Sequence, residues 1–167
     1  KKYGGKGIGL FRTEFIYMKR EQLPTEQEQF EIYKEAAEKV KEEEVVIRTL
    51  DIGGDMELSY LDLPEEMNPF LGFRALRFCL EKKEIFRTQL RAILRASAFG
   101  NIKVMYPMVA SFEEVREANK LLESVKRNLK QNNIKFDNDL QVGIMIETPA
   151  AVFGADKLAE LVDFFSI

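Results

Sequence analysis

Short runs rich in Val and Ile recur along this chain with amphipathic helical stretches between them, and that alternation leaves few folds open. Ile8–Phe11, Val45–Ile47, Ile102–Tyr106, Val142–Ile146 and Phe164–Ile167 read as buried strands. Strand alternating with helix predicts an α/β fold with a parallel sheet and right-handed crossovers. Three of the runs stop at a charged residue: Arg12, Arg48 and Glu147. In parallel α/β folds ligands are met at the carboxyl ends of strands, so these three are the candidate site residues.

Helix signals fill the gaps. Thr25-Glu26-Gln27-Glu28 is a capping box, with Leu23 as a possible staple, opening a helix to about Lys41 that turns Phe30, Tyr33, Ala37 and Val40 inward. Ser111-Phe112-Glu113-Glu114 is a second box, ahead of a stripe of Val115, Ala118, Leu122, Val125 and Leu129. Phe73 to Ala98 reads as helical with a break near Lys82-Lys83. The segment from Asp51 to Gly72 lacks periodicity, and a loop that long between strand and helix is often functional.

Five strands are too few for a closed eight-stranded barrel, which needs at least about 200 residues. A partial (β/α)8 TIM barrel fits better than a complete doubly wound domain, although periodicity alone separates the two poorly. The run Val162–Ile167 is strand-like at the very end and the chain opens on Lys1, so the expectation is a fragment.

Composition narrows the chemistry. There is no histidine, which removes Ser-His-Asp and Cys-His catalysis and His-ligated metals. The single cysteine, Cys79, allows no internal disulfide and reads as a buried structural thiol. A net charge of -3 argues against a broad nucleic-acid or membrane surface, and no apolar run approaches a membrane span; a cytoplasmic location is expected.

Arg12 and Arg48 carry planar, permanently charged guanidiniums that match phosphate or carboxylate oxygens, and two at equivalent strand ends could grip one phosphoryl group. The alternative is that each pairs with a nearby acid such as Glu14 or Asp51. Arg48 leads into Thr49-Leu50-Asp51-Ile52-Gly53-Gly54-Asp55, a glycine turn between carboxylates that permits close approach of backbone to ligand. Glu147 precedes Thr148, a helix cap, and Pro149, suited to a first turn. A carboxylate there can hold Mg²⁺, or can be satisfied by helix N–H groups or an arginine. Arg74 and Arg77 open the helix after the long loop, where either could reach a ligand or stay solvated.

Taken in order, these segments resemble the phosphoenolpyruvate-utilising enzymes, most closely enzyme I of the bacterial sugar phosphotransferase system. Gly7 to Phe15, Leu23 to Glu26, Arg48 to Asp55, Asn68 to Arg74, Gln89 to Ala98, Glu147 to Ala151 and Asp163 to Ile167 carry the resemblance across the whole chain. It implies the phosphoenolpyruvate-binding C-terminal barrel domain, with residues 1–167 holding roughly strands 2 to 6 and their helices. It implies that Arg12 and Arg48 bind the substrate phosphate, that Glu147 coordinates Mg²⁺, and that Arg74 lies near the substrate.

It also implies no catalytic residue in this stretch. A second metal ligand, a later arginine and the cysteine that protonates the enolate follow the position of Ile167, and Cys79 does not match that cysteine. The phosphorylated histidine belongs to a separate N-terminal domain. Met56 stands where the family leads us to expect a lysine. The implied activity is phosphoryl transfer from phosphoenolpyruvate to that histidine and on to a histidine-containing phosphocarrier protein, releasing pyruvate, by a homodimer. The fragment alone is expected to be inactive. Pyruvate phosphate dikinase or phosphoenolpyruvate synthase is the nearest alternative, and a non-catalytic dimerisation module is a more distant one. The forms Asp51-Ile52-Gly53-Gly54-Asp55 and Asn68-Pro69-Phe70-Leu71-Gly72 favour enzyme I.

Overall fold

Five parallel strands pair in strict sequence order, β1 (Ile8–Arg12), β2 (Val45–Arg48), β3 (Ile102–Tyr106), β4 (Val142–Met145) and β5 (Phe164–Ser166). That order decides between the two folds that periodicity leaves open. A doubly wound sheet reverses its strand order at a switch point, whereas a barrel wall adds each strand beside the last. The sheet is therefore a half-barrel, consistent with a partial TIM barrel. The computed structural model describes residues 4–18, 20–53, 60–61, 67–68 and 71–167.

The helices α1 (Glu14–Tyr17), α2 (Glu26–Val40), α3 (Ala75–Glu81), α4 (Lys83–Ser97), α5 (Phe112–Gln131), α6 (Pro149–Phe153) and α7 (Ala155–Leu158) supply the second layer. Alternate strand residues Val45, Ile47, Ile102, Val104, Tyr106, Val142 and Ile144 face it and join its core. Their neighbours Val46, Arg48, Lys103, Met105, Gly143 and Met145 turn to the other face, the concave interior of the barrel wall. From α4, Phe86, Leu90, Ile93 and Leu94 are at most 1% exposed, each worth about 1.5–3 kcal/mol of burial.

Both capping boxes form, with Thr25 Oγ1 accepting from the Glu28 N–H and Ser111 Oγ from the Glu114 N–H, each at 3.2 Å. All five residues of the α5 stripe are buried. The long helical region breaks at Lys82, as its charge pair predicts. Val40 is only half-buried, and Ala36 joins the inward face of α2 instead. Leu23 stays 37% exposed; it lies two residues before the Thr25 cap, whereas a staple uses the residue immediately before the cap, here Pro24. Strands β1 and β2 extend through their arginines, so both guanidiniums start from sheet-anchored backbone. Residues Gly54, Asp55, Met56, Pro69 and Phe70 lie outside those described.

Candidate functional site at the strand ends

Arg12 and Arg48 are register partners at the ends of β1 and β2, so their side chains leave the sheet on one face. Thr13 Oγ1 donates to the Arg48 carbonyl at 2.9 Å and ties the two ends together. From there the arginines differ. Arg48 is 7% exposed and held between two carboxylates: its Nη2 donates to Glu14 Oε1 at 2.8 Å, and its Nη1 lies 3.1 Å from Asp51 Oδ2. Arg12 is exposed and has no ion pair among the described residues. Pairing with Glu14 and Asp51 is thus realised for Arg48, and not for Arg12.

Glu14 opens α1 directly after β1 and is buried. Besides Arg48, its Oε1 accepts the Asp51 backbone N–H at 3.2 Å. Asp51 in turn accepts at Oδ1 from Arg74 Nε at 3.0 Å and Nη2 at 2.8 Å. Two carboxylates and two guanidiniums balance within this cluster, so Arg12 beside it brings the uncompensated positive charge. An anion with several oxygens suits that arrangement. Within the cluster Glu14 Oε2 and Arg48 Nε are buried without a hydrogen-bond partner among the described residues.

Arg74 owes its position to strained backbone. It occupies the cap of α3, and Ala75 behind it has φ +52°, held by its N–H donating to the Ile52 carbonyl at 3.1 Å. Gly53 has φ +120°, and a Cβ there would fall 2.5 Å from the Cβ of Arg74. Glycine is required for both conformation and space. Arg77 is turned away from the strand ends, donating to the Leu71 carbonyl at 2.6 Å and pairing with Glu114 at 3.4 Å.

Glu147 stands two strands across the sheet, past the end of β4. Its Oε1 accepts the Met108 backbone N–H at 2.7 Å, a donor presented by a left-handed Met108 at φ +54°. That bond fixes one oxygen, and Oε2 lies outside it. Thr148 caps α6 by accepting from the Ala151 N–H at 3.1 Å, with Pro149 at the first position, so Glu147 leaves the strand just ahead of a helix start as its sequence suggests. Arg48 reaches toward this strand, its Nη1 lying 3.9 Å from Met145 Sδ.

Cys79 is fully buried behind the site, its thiol donating to the Leu50 carbonyl at 3.7 Å. Burial, and secondarily the charge of Asp51, pushes this thiol well above its ordinary pKa. Cys79 should therefore resist an aromatic disulfide reagent at pH 8 in the native protein and react at once in urea. Rapid native labelling would contradict the packing described.

Sequence reasoning overlooked Gln89, which is 0% exposed and whose Oε1 accepts the Leu50 N–H at 2.9 Å. The available signal was a polar residue on the same stripe as Phe86, Leu90 and Ile93.

The family model described as PEP-utilising enzyme, PEP-binding domain, matches residues 1–167. The chain is 59% identical over 164 residues to the phosphoenolpyruvate-protein phosphotransferase of Staphylococcus carnosus (strain TM300), a match covering 98% of this chain and 29% of that protein. It is 58% identical over 164 residues to the Haemophilus influenzae protein of the same name, covering 98% of this chain and 28% of that protein. For the Priestia megaterium protein the identity is 57%, again over 164 residues, with 98% and 29% covered. The chain thus spans less than a third of the length of the curated relatives it matches.

Proposed function

Since this chain belongs to the PEP-utilising enzymes, as their PEP-binding domain, we propose that it is the phosphoenolpyruvate-binding part of a phosphoenolpyruvate-protein phosphotransferase. All 167 residues would belong to one barrel domain of that enzyme. The single observation that carries the site reading is the register pairing of Arg12 with Arg48 at adjacent strand ends. The substrate phosphate would meet Arg12, which is unpaired among the described residues, beside an Arg48 already aimed by Glu14 and Asp51. Phosphoryl transfer passes through a loose transition state, so positioning and fixed charge are what these residues contribute.

Glu147 would hold Mg²⁺, which accepts oxygen ligands and keeps several waters. A single carboxylate with one oxygen outside its backbone hydrogen bond fits one such ligand. Among the described residues no group of three His, Cys, Asp or Glu side chains is placed to hold a metal, so Glu147 would supply one ligand and not a complete site. Bound there, the ion would neutralise charge between phosphate and carboxylate.

The acceptor histidine would lie outside this chain, which contains none, and the phosphoryl group would pass from it to a histidine-containing phosphocarrier protein, leaving pyruvate. The enzyme would act as a cytoplasmic homodimer; no helix among the described residues is long and apolar enough to cross a membrane. The names of the relatives favour this reading over a dikinase, a synthase or a non-catalytic module.

Calorimetric titration of phosphoenolpyruvate into the chain with Mg²⁺ tests the reading, with Arg12→Ala as comparison because an exposed arginine can be removed without unfolding. Losing one charge-assisted contact of about 2 kcal/mol should weaken binding roughly 30-fold. Equal affinity in the variant, or binding indifferent to Mg²⁺, would overturn it.

A further inference from the structure

Four buried polar side chains run in an unbroken line from Tyr17 on α1 to the Leu50 N–H, one residue before Asp51. Gln29 Nε2 donates to the Pro24 carbonyl at 3.3 Å, and Gln29 Oε1 accepts both the Tyr17 hydroxyl at 3.1 Å and the Tyr33 hydroxyl at 3.2 Å. Gln89 Nε2 donates to Tyr33 Oη at 3.3 Å, and Gln89 Oε1 accepts the Leu50 N–H at 2.9 Å. None of the four is more than 1% exposed. Only one orientation of the Gln89 amide serves both neighbours, because Leu50 offers a donor.

The last link falls where the sheet stops guiding the chain. The Thr49 N–H still donates to the Met105 carbonyl at 2.9 Å, continuing the ladder beyond Arg48. The next N–H, that of Leu50, goes to Gln89 instead. One residue later comes Asp51, whose carboxylate touches both Arg48 and Arg74. A buried amide on an otherwise apolar helix stripe costs stability unless each of its groups is bonded, and an apolar residue would fill the same volume.

We propose that Gln89 is a positioning residue for anion binding: by holding the Leu50 N–H it sets the Asp51 carboxylate, and through it the Arg48 and Arg74 guanidiniums. The proposal rests on the phosphoenolpyruvate reading above for its ligand, but its effect on the arginines is independent of that reading.

The test compares Gln89→Leu, Gln89→Glu and Tyr17→Phe with the unchanged chain by two measurements. One is calorimetric affinity for phosphoenolpyruvate with Mg²⁺. The other is solvent exchange of the Arg74 Nε–H signal in ligand-free protein, by nitrogen-15 spectroscopy. Gln89→Leu should bind about tenfold more weakly and lose protection at Arg74, as expected when a binding group drifts from its productive place. Gln89→Glu, carried as the neutral acid in this buried place, keeps an acceptor for Leu50 and a donor for Tyr33 and should restore both. Tyr17→Phe removes a link at the far end and should change neither.

A folded Gln89→Leu with unchanged affinity and unchanged Arg74 protection would overturn the proposal, as would an equal loss in Tyr17→Phe. Should Gln89→Leu fail to fold, Gln89→Met, which fills a similar volume without an acceptor for the Leu50 N–H, decides: lost Arg74 protection supports the role and retained protection overturns it. An unchanged chain that ignores phosphoenolpyruvate, while Gln89→Leu still frees Arg74, would overturn the phosphoenolpyruvate reading and support the positioning role.

Discussion

Replacing Arg48 by methionine should cost the fold about 3–5 kcal/mol, read as a lowered urea midpoint. The side chains of Glu14 and Asp51 that clasp it are 1% and 6% exposed. Asp51 would keep Arg74, but Glu14 would be left as a buried carboxylate with only the Asp51 backbone N–H, which lies 3.2 Å from it. Breaking one side of a buried ion pair strands the other charge, and that penalty exceeds what the pair contributes over an apolar substitute. The double variant Glu14→Leu with Arg48→Met should accordingly recover much of the loss, with a coupling energy of about 1–3 kcal/mol in the double-mutant cycle. A single-variant cost below about 1 kcal/mol would show that the clasp is solvated and the burial misread. The same arithmetic explains why Arg12, and not Arg48, is the arginine to remove in a binding experiment.

Gly53→Ala should be the other severe change, lowering stability by about 2 kcal/mol or more and the melting temperature by roughly 4–8 °C. Two penalties coincide at this position. A φ of +120° is poorly open to a residue with a Cβ, and that Cβ would lie 2.5 Å from Arg74 Cβ and 3.0 Å from both Arg74 Cα and the Phe73 carbonyl oxygen. None of these neighbours is the far end of a flexible side chain, so the backbone must shift. Because Arg74 shifts with it, the hydrogen bonds to Asp51 Oδ1 should lengthen, and affinity for phosphoenolpyruvate should fall about tenfold. Thermal unfolding and the calorimetric titration read the two effects separately. An unchanged melting temperature would mean that the turn relaxes without strain.

Much of the fold could be read from the residues because its signals are local. A capping box spans four residues, a buried strand four or five, and the break at Lys82 is announced by two adjacent lysines. Strand order was not local information. It depends on which strands pair across long separations, and only the observed sequence-ordered sheet separates a barrel wall from a doubly wound sheet. The site divides in the same way. Arg12, Arg48 and Glu147 stood out as charges closing apolar runs, but nothing in their flanks distinguishes the exposed arginine from the buried one. That difference lies in what closes over each side chain: Glu14 and Asp51 clasp Arg48, and none of the described residues forms an ion pair with Arg12. Gln89 was missed for a related reason. Its place on the apolar stripe of α4 announces burial, but what it bonds there is not legible until its partner, 39 residues away at Leu50, is known.

The Met108 N–H that holds Glu147 is a main-chain group, and this changes how the site can drift over evolutionary time. Any side chain compatible with a left-handed residue leaves that donor where it is, so substitution at position 108 is a weak route to altering Glu147. An insertion or deletion in the turn between β3 and α5 would swing the N–H away and release the carboxylate in one step. Glu147 is thus buffered against replacement of the residue that anchors it and sensitive to the length of the loop that carries it.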